Sequence, residues 1–77
     1  MSDNEGIAGV VAANIRRHLD RRGLTITQLA ELAGISRVGL SRVLGGHEGV
    51  TIERLSRIAD VLEVPVWTLL RPGRGPA

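Results

Sequence analysis

The chain has 77 residues, a formal net charge of +2 and no cysteine. These values favour one small domain and exclude a disulfide scaffold or a thiolate metal site. No apolar run approaches the roughly 20 residues that a membrane-spanning helix needs, and the acidic start, MSDNEGIAG, is unlike a signal peptide. The sequence therefore predicts a cytoplasmic protein. Its ten basic residues are all arginine, the side chain that forks onto phosphate and onto guanine.

A first helix is predicted over residues 9–22, after a disordered leader at residues 1–8. Val11, Ile15 and Leu19 recur at helical spacing and form one apolar stripe. Gly23 follows the helix at the position where a left-handed residue is favoured. The arginines of this helix form either a solvated face or a set of phosphate contacts.

A second helix is predicted from Thr25 to Gly34. Thr25 is the N-cap, and Gln28, three residues later, completes a T-x-x-Q capping box. Gly34 ends the helix. The predicted inner face consists of Leu29, Ala30 and Ala33.

A third helix is predicted from the N-cap Ser36 to about residue 44, with Leu40 and Val43 on its inner side. Gly39 inside it costs on the order of 1 kcal/mol relative to alanine. Two explanations stay open at this point: a close approach to DNA, or a tolerated glycine in the first turn.

A fourth helix is predicted from the N-cap Thr51 to about residue 63, and Pro65 opens a short fifth helix over residues 66–70. The apolar stripe of the fourth helix is Ile52, Leu55, Ile58, Ala59 and Leu62. The inner face of the fifth is Val66, Leu69 and Leu70. Trp67 lies on another side of the fifth helix. Because interfaces enrich tryptophan, Val66 and Trp67 are predicted to form a homodimer interface together with the end of the fourth helix. The alternative is that Trp67 folds back over the edge of the core.

The stretch TITQLAELAGISRVGLSRVLGG contains two capped helices joined by a glycine, which is the layout of a helix-turn-helix reader of DNA. Together with NIRRHLDRRGLT before it and TIERLSRIADVLEVPVWTLL after it, the chain resembles the Cro/repressor-type family, also called XRE-like or lambda-repressor-like. The resemblance implies an all-α, five-helix DNA-binding domain at residues 9–70, followed by a flexible tail at residues 71–77. It implies a dimer on a palindromic double-stranded DNA operator, with no catalysis, cofactor, metal or small-molecule ligand.

The resemblance also implies a role for individual residues. The base contacts would be Arg37, Val38, Ser41 and Arg42. The DNA backbone contacts would be Thr25, Thr27, Gln28, Ser36, Gly39, Gly46 and His47.

The chain departs from the family pattern in three ways. Ile26 stands where many members have Gln, and His47 followed by Glu48 stands where many have a basic residue. Leu19 and Leu44 stand where lambdoid repressors pair a buried arginine with a glutamate. An apolar pair can replace a buried ion pair at little cost, so Leu19 and Leu44 are predicted to touch in the core.

A second function class is a protein-interaction module on the same fold, such as an antitoxin or an anti-repressor partner. The third helix discriminates between the two classes. A protein-binding surface would tolerate acidic or apolar residues on its outer face, whereas residues 35–47 hold two arginines and no acid. The sequence therefore favours a DNA-binding transcriptional regulator that is not an enzyme.

Overall fold

The computed structural model describes residues 3–46 and 48–72, with side chains from residue 6 onward. Five α-helices follow one another along this part of the chain: α1 Asp3–Arg22, α2 Ile26–Ala33, α3 Arg37–Leu44, α4 Ile52–Leu62 and α5 Val66–Leu70. The predicted all-α, five-helix fold is confirmed.

The helices pack around one apolar core. Helix α1 lies against α3 and α5, while α2 lies against α3 and α4. Because each helix places its apolar residues on one face, the buried side chains meet in the centre. The core consists of Val11, Ile15, Leu19, Leu29, Ala30, Ala33, Leu40, Val43, Leu44, Leu55, Ile58, Ala59, Leu62 and Leu69.

Helix α1 begins earlier than the sequence predicted. It starts at Asp3 rather than Gly9, so residues 3–8 are helical and not a disordered leader. Acidic residues near a helix N-terminus are favoured by the helix dipole, and Ala8 is buried. Both features extend the helix toward the start of the chain. Residues 1 and 2 lie outside the described residues, as do residues 73–77 of the predicted tail.

Two residues assigned to inner faces are exposed instead. Ile52 is 71% exposed and Leu70 is 43% exposed. Ile52 is the first residue of α4 and Leu70 is the last of α5, so each lies at a helix end. Helical periodicity correctly predicts the side of a helix that a residue faces, but not whether the core reaches that far along it.

A residue in the left-handed conformation directly follows each of α1, α2 and α4. Gly23, with φ 66°, follows α1, and Gly34, with φ 70°, ends α2, both as predicted. Glu63 ends α4 with φ 59° although it is not a glycine. Its carboxylate pairs with Arg22 at 3.3 Å, which joins the ends of α1 and α4.

A buried amide fixes α5 on α1, a contact that was not predicted from the sequence. Asn14 is fully buried. Its Nδ2 group donates to the carbonyl of Leu69 at 2.8 Å and to that of Arg71 at 2.7 Å, and its Oδ1 accepts from Arg17. Both amide protons are therefore used to satisfy carbonyls at the C-terminal end of α5, where no helical donor is available.

Leu19 and Leu44 are both buried in the core, and direct contact between their side chains stays a prediction. Arg16 lies beside them and donates to the carbonyl of Leu44 through Nη2 at 3.0 Å and Nε at 3.3 Å. A cation at the C-terminus of α3 is favourable. Lambdoid repressors have their buried arginine at the position of Leu19. In this chain Arg16, about one helical turn earlier, bonds to the backbone of α3 instead, so no carboxylate partner is required.

Leu44→Glu is expected to be strongly destabilising, because removing the apolar side chain and burying a charge costs about 3 kcal/mol or more. Leu44→Met is the matched control, since a swap of similar volume costs less than about 1.5 kcal/mol. Thermal unfolding followed by circular dichroism measures both. Equal melting temperatures for the two variants would contradict a closed apolar environment at this position.

Candidate nucleic-acid interface

The N-terminus of α2 carries the predicted capping box. The Oγ1 of Thr25 accepts from the N–H of Gln28 at 3.0 Å, and the Oε1 of Gln28 accepts from the N–H of Thr25 at 2.9 Å. The N–H groups of Ile26 and Thr27 have no partner within the helix. These two backbone donors point out of the positive end of α2, where the sequence predicted a phosphate.

The turn between α2 and α3 is short because both of its ends are capped. Gly34 adopts φ 70° and ψ 34°, and the N–H of Ile35 returns to the carbonyl of Ala30 at 2.9 Å. Ser36 then opens α3, since its Oγ accepts from the N–H of Gly39 at 3.0 Å. Only three residues, 34–36, therefore separate α2 from α3, and the outer side of α3 is exposed to solvent.

The structure adds a third feature at Gly39, beside the two sequence-based explanations, which stay open. A Cβ at Gly39 would lie 2.9 Å from the Oγ of Ser36, closer than carbon and oxygen can approach without displacement. The oxygen is held in place by its bond to the N–H of Gly39. A side chain at this position would therefore require Ser36 to shift. The N–H of Gly39 is used in the cap, and the DNA backbone contact of Gly39 stays a prediction.

Gly39→Ala is expected to lower stability by about 1–2 kcal/mol, since overpacking and loss of the cap exceed the roughly 1 kcal/mol that alanine gains in helix propensity. In a Ser36→Ala background the clash is absent, so the same substitution should raise stability. Thermal unfolding of the four proteins in this double-mutant cycle measures the coupling. The same effect of Gly39→Ala in both backgrounds would show that Ser36 is not the reason for the glycine.

The predicted base-contacting residues form one exposed surface, which we call the reading face: Arg37, Val38, Ser41 and Arg42. Residues four apart on a helix share a face. Val38 is 63% exposed, although a side chain of this kind is usually buried. The first turn of α3 contains no acid. The reading face thus combines two cations, a hydroxyl and an apolar group, with no negative charge.

The structure brings Arg37 and Thr27 together, which the sequence did not predict. The Nε of Arg37 donates to the Oγ1 of Thr27 at 3.0 Å, so a residue of α3 is anchored to α2. The bond leaves the terminal Nη groups of Arg37 available. It also leaves Thr27 its hydroxyl proton. Because the arginine is held before any ligand arrives, less side-chain entropy is lost on binding.

The loop after α3 gives less support to the predicted backbone contacts. Gly46 adopts φ 82°, and a Cβ there would lie 3.6 Å from the Cα of Gly9 and 3.9 Å from the Cβ of Ala12. Its N–H donates to the carbonyl of Val43 at 3.1 Å. Gly46 therefore packs on α1 and has no free donor for a phosphate. His47 lies outside the described residues.

The arginines of α1 are largely engaged within the protein. Arg16 bonds to α3, Arg17 to Asn14 and Arg22 to Glu63. His18 lies between them, half-buried, and its pKa is lowered from 6.5, first by burial and then by Arg21, Arg17 and Arg22. The structure therefore favours intramolecular roles for most of this face over the alternative of phosphate binding.

The predicted interface residues lie on α5, away from the reading face along the chain. Trp67 is 59% exposed and Val66 is half-buried against the core. The guanidinium of Arg71 lies over the Trp67 ring, 5.1 Å from its centroid. The carbonyl of Arg71 is one of the two that Asn14 holds. Together these contacts fix the exposed indole in a defined orientation.

Within the part of the chain that the structure describes, no helix is long and apolar enough to cross a membrane. Over the same residues, no group of three or more His, Cys, Asp or Glu side chains could hold a metal ion.

Comparison with known proteins gives the family. The family model described as helix-turn-helix matches residues 15–66, so the chain belongs to this helix-turn-helix family. The HTH-type transcriptional regulator SutR of Escherichia coli is 28% identical over 68 residues, which cover 88% of this chain and 38% of SutR. The chain thus spans less than half the length of that relative.

A solved structure agrees with the family assignment. The crystal structure of the hypothetical transcription factor NHTF from Neisseria matches with a TM-score of 0.82 and 26% identity, over 86% of this chain and 74% of that one. The resemblance that the sequence indicated is confirmed. The family model and both similar proteins, a transcriptional regulator and a hypothetical transcription factor, thus point to the same class of helix-turn-helix domain.

Proposed function

We propose that the protein is a sequence-specific transcription regulator that binds a palindromic operator as a dimer in the cytoplasm, without a cofactor or small-molecule ligand. The observation that carries the proposal is the reading face, which is exposed, contains two arginines and holds no acid. An α-helix fits the major groove of B-DNA, where every base pair presents a distinct pattern of donors and acceptors. In this proposal α3 lies in that groove.

The side chains of the reading face determine the kind of sequence that would be preferred. Arg37 and Arg42 can each fork onto the N7 and O6 of a guanine, and Val38 can contact a thymine methyl group. Ser41 can donate or accept and is therefore less selective. We expect half-sites with one or two defined G·C pairs and a neighbouring T.

Phosphate contacts would set the orientation of α3 in the groove. The N–H groups of Ile26 and Thr27 at the start of α2 are free within the helix, and the hydroxyl protons of Thr25 and Ser36 remain available after capping. A helix N-terminus favours an anion. The Oε1 of Gln28 is used in the capping box, so only its amide protons could reach a phosphate.

The proposal is tested by selecting bound duplexes from a randomised library and then measuring affinity for the selected site over a range of salt concentrations. We expect a two-fold symmetric site whose halves lie about 34 Å apart, and an affinity that falls steeply with salt. If no sequence is enriched and α3 instead captures a protein partner, the result would support the alternative function, a protein-interaction module on the same fold.

Dimerisation through α5 is proposed on the basis of Trp67 and Val66, with exposed Leu70 beside them at the end of the helix. Trp67→Ala is expected to weaken the dimer by about 2 kcal/mol or more, as is usual for a tryptophan near the centre of an interface. Sedimentation equilibrium measures the change. Ile52→Ala is the control, because it removes another exposed apolar side chain from α4. A wild-type monomer at high micromolar concentration, with and without DNA, would contradict the dimer.

A further inference from the structure

Arg54 reaches from α4 to the start of α3. It lies in the first turn of α4, where its N–H donates to the Oγ1 of the N-cap Thr51 at 3.1 Å. Its Nη1 lies 3.7 Å from the position that a Cβ on Gly39 would occupy, and the Oγ of Ser36 lies 2.9 Å from the same point. The guanidinium of Arg54 is therefore adjacent to the N-cap of the helix that carries the reading face.

This environment is unfavourable for a cation in the free protein. The N-terminus of α3 is the positive end of its dipole, its first turn has no acid, and Arg37 is its first residue. Among the described residues, no carboxylate pairs with Arg54, because the ion pairs there are Arg22–Glu63 and Arg57–Glu53. A cation at the positive end of a helix dipole, without a carboxylate partner, is a favourable site for an anion.

Arg57, one turn further along α4, has the opposite environment. Its Nη2 pairs with Glu53 at 3.1 Å, and its Nη1 lies 3.9 Å from the Cβ position of Gly34, at the C-terminal and therefore negative end of α2. The two arginines share a helix, a residue type and an exposed surface. Only Arg57 has its charge compensated within the protein.

We infer that Arg54 binds a backbone phosphate of the DNA that α3 reads, and that this phosphate supplies the counterion missing from the free protein. The inference rests on the proposed function and adds a residue from outside the helix-turn-helix unit to the interface. It assigns Arg54 to the phosphate and leaves the bases to the reading face. The contact therefore strengthens binding to every sequence alike.

The test compares Arg54→Ala with Arg57→Ala and Arg54→Lys, by fluorescence anisotropy on the selected operator and on unrelated duplexes over a salt series. Arg54→Ala should weaken binding about tenfold to both kinds of duplex, and the slope of log affinity against log salt should fall by about one. Arg54→Lys should recover that slope. Arg57→Ala should change affinity less than about twofold, as expected for an exposed pair.

Thermal unfolding completes the test, because Arg54→Ala removes an uncompensated cation and should leave the melting temperature equal or higher. A lower melting temperature than that of Arg57→Ala, or an unchanged salt slope, overturns the inference. Altered preference at a single base pair overturns it also, because it would mean base contact.

If the wild-type protein bound no duplex at any salt concentration, the proposed function and this inference would both fail. If it bound normally and Arg54→Ala had no effect, only the inference would fail.

Discussion

Replacing Arg37 and Arg42 together with alanine is expected to abolish sequence-specific DNA binding while leaving the fold intact. Both side chains are exposed on the reading face. An arginine that forks onto guanine contributes about 1–3 kcal/mol, so the double variant should lose on the order of 100- to 1000-fold in affinity for its operator. Competition between the operator and unrelated duplexes, measured at constant salt, gives the loss of preference directly.

The matched control is Arg21→Ala with Arg22→Ala, which removes the same charge from the last turn of α1. A general loss of positive charge should weaken binding to all sequences in both double variants. Loss of preference should appear only in the variant of α3. If that variant kept the same site preference as the wild type, α3 would not be the element that reads DNA.

Asn14→Ala is expected to destabilise the domain by about 2 kcal/mol, or roughly 8–16 °C in melting temperature for a domain of this size. The substitution leaves the buried carbonyl of Leu69 and the carbonyl of Arg71 without the donors that Asn14 provides. Helix α5 would then be released from α1 before the rest of the core unfolds. Trp67 is the single tryptophan of the chain, so its fluorescence reports on α5 directly.

Ala13→Ser is the control for Asn14→Ala, because Ala13 is the neighbouring residue on α1 and is exposed. A surface substitution of this kind should shift stability by no more than about 0.5 kcal/mol. Tryptophan fluorescence and the melting temperature should both change in the Asn14 variant alone. An Asn14 variant that melts with the wild type and keeps the same fluorescence would mean that the buried amide is not needed to hold α5.

The parts of the fold that local chemistry determines could be predicted from the sequence. The capping box of Thr25 and Gln28, the Ser36 cap and the left-handed Gly34 all depend on residues within a few positions of one another. The inner faces of α2 and α3 follow from helical periodicity alone. These features were sufficient to place the helix-turn-helix unit and the reading face within it.

Contacts between distant residues could not be predicted in the same way. Asn14 and Leu69 are 55 positions apart, and Arg37 and Thr27 are ten apart. An asparagine in a helix gives no sequence signal that it will be buried, since this residue type is usually exposed. Arg54 was missed for the same reason, because its position beside Gly39 depends on how α4 packs against α2.

The corrections have a common physical origin in the finite size of the core. Periodicity assigns a direction to every residue of a helix, but Ile52 and Leu70 extend beyond the apolar interior that would cover them. The reverse holds at the start of the chain, where Ala8 is buried and α1 continues to Asp3. A domain of this size buries only about 60% of the surface of its unfolded chain, so residues at helix ends are the least predictable.

Helix α1 is bonded both to α5, which carries the proposed dimer interface, and to α3, which carries the reading face. Asn14 is bonded to the end of α5 and Arg16 to the end of α3, and two residues of an α-helix span only about 3 Å along its axis. The residues that attach α5, with the proposed dimer interface, and α3, with the reading face, therefore lie on the same rigid helix. No flexible loop lies between these two attachment points. The distance between the two reading faces of the proposed dimer would then be fixed. If one base pair were added between the half-sites of an operator, only one protomer could bind its half-site.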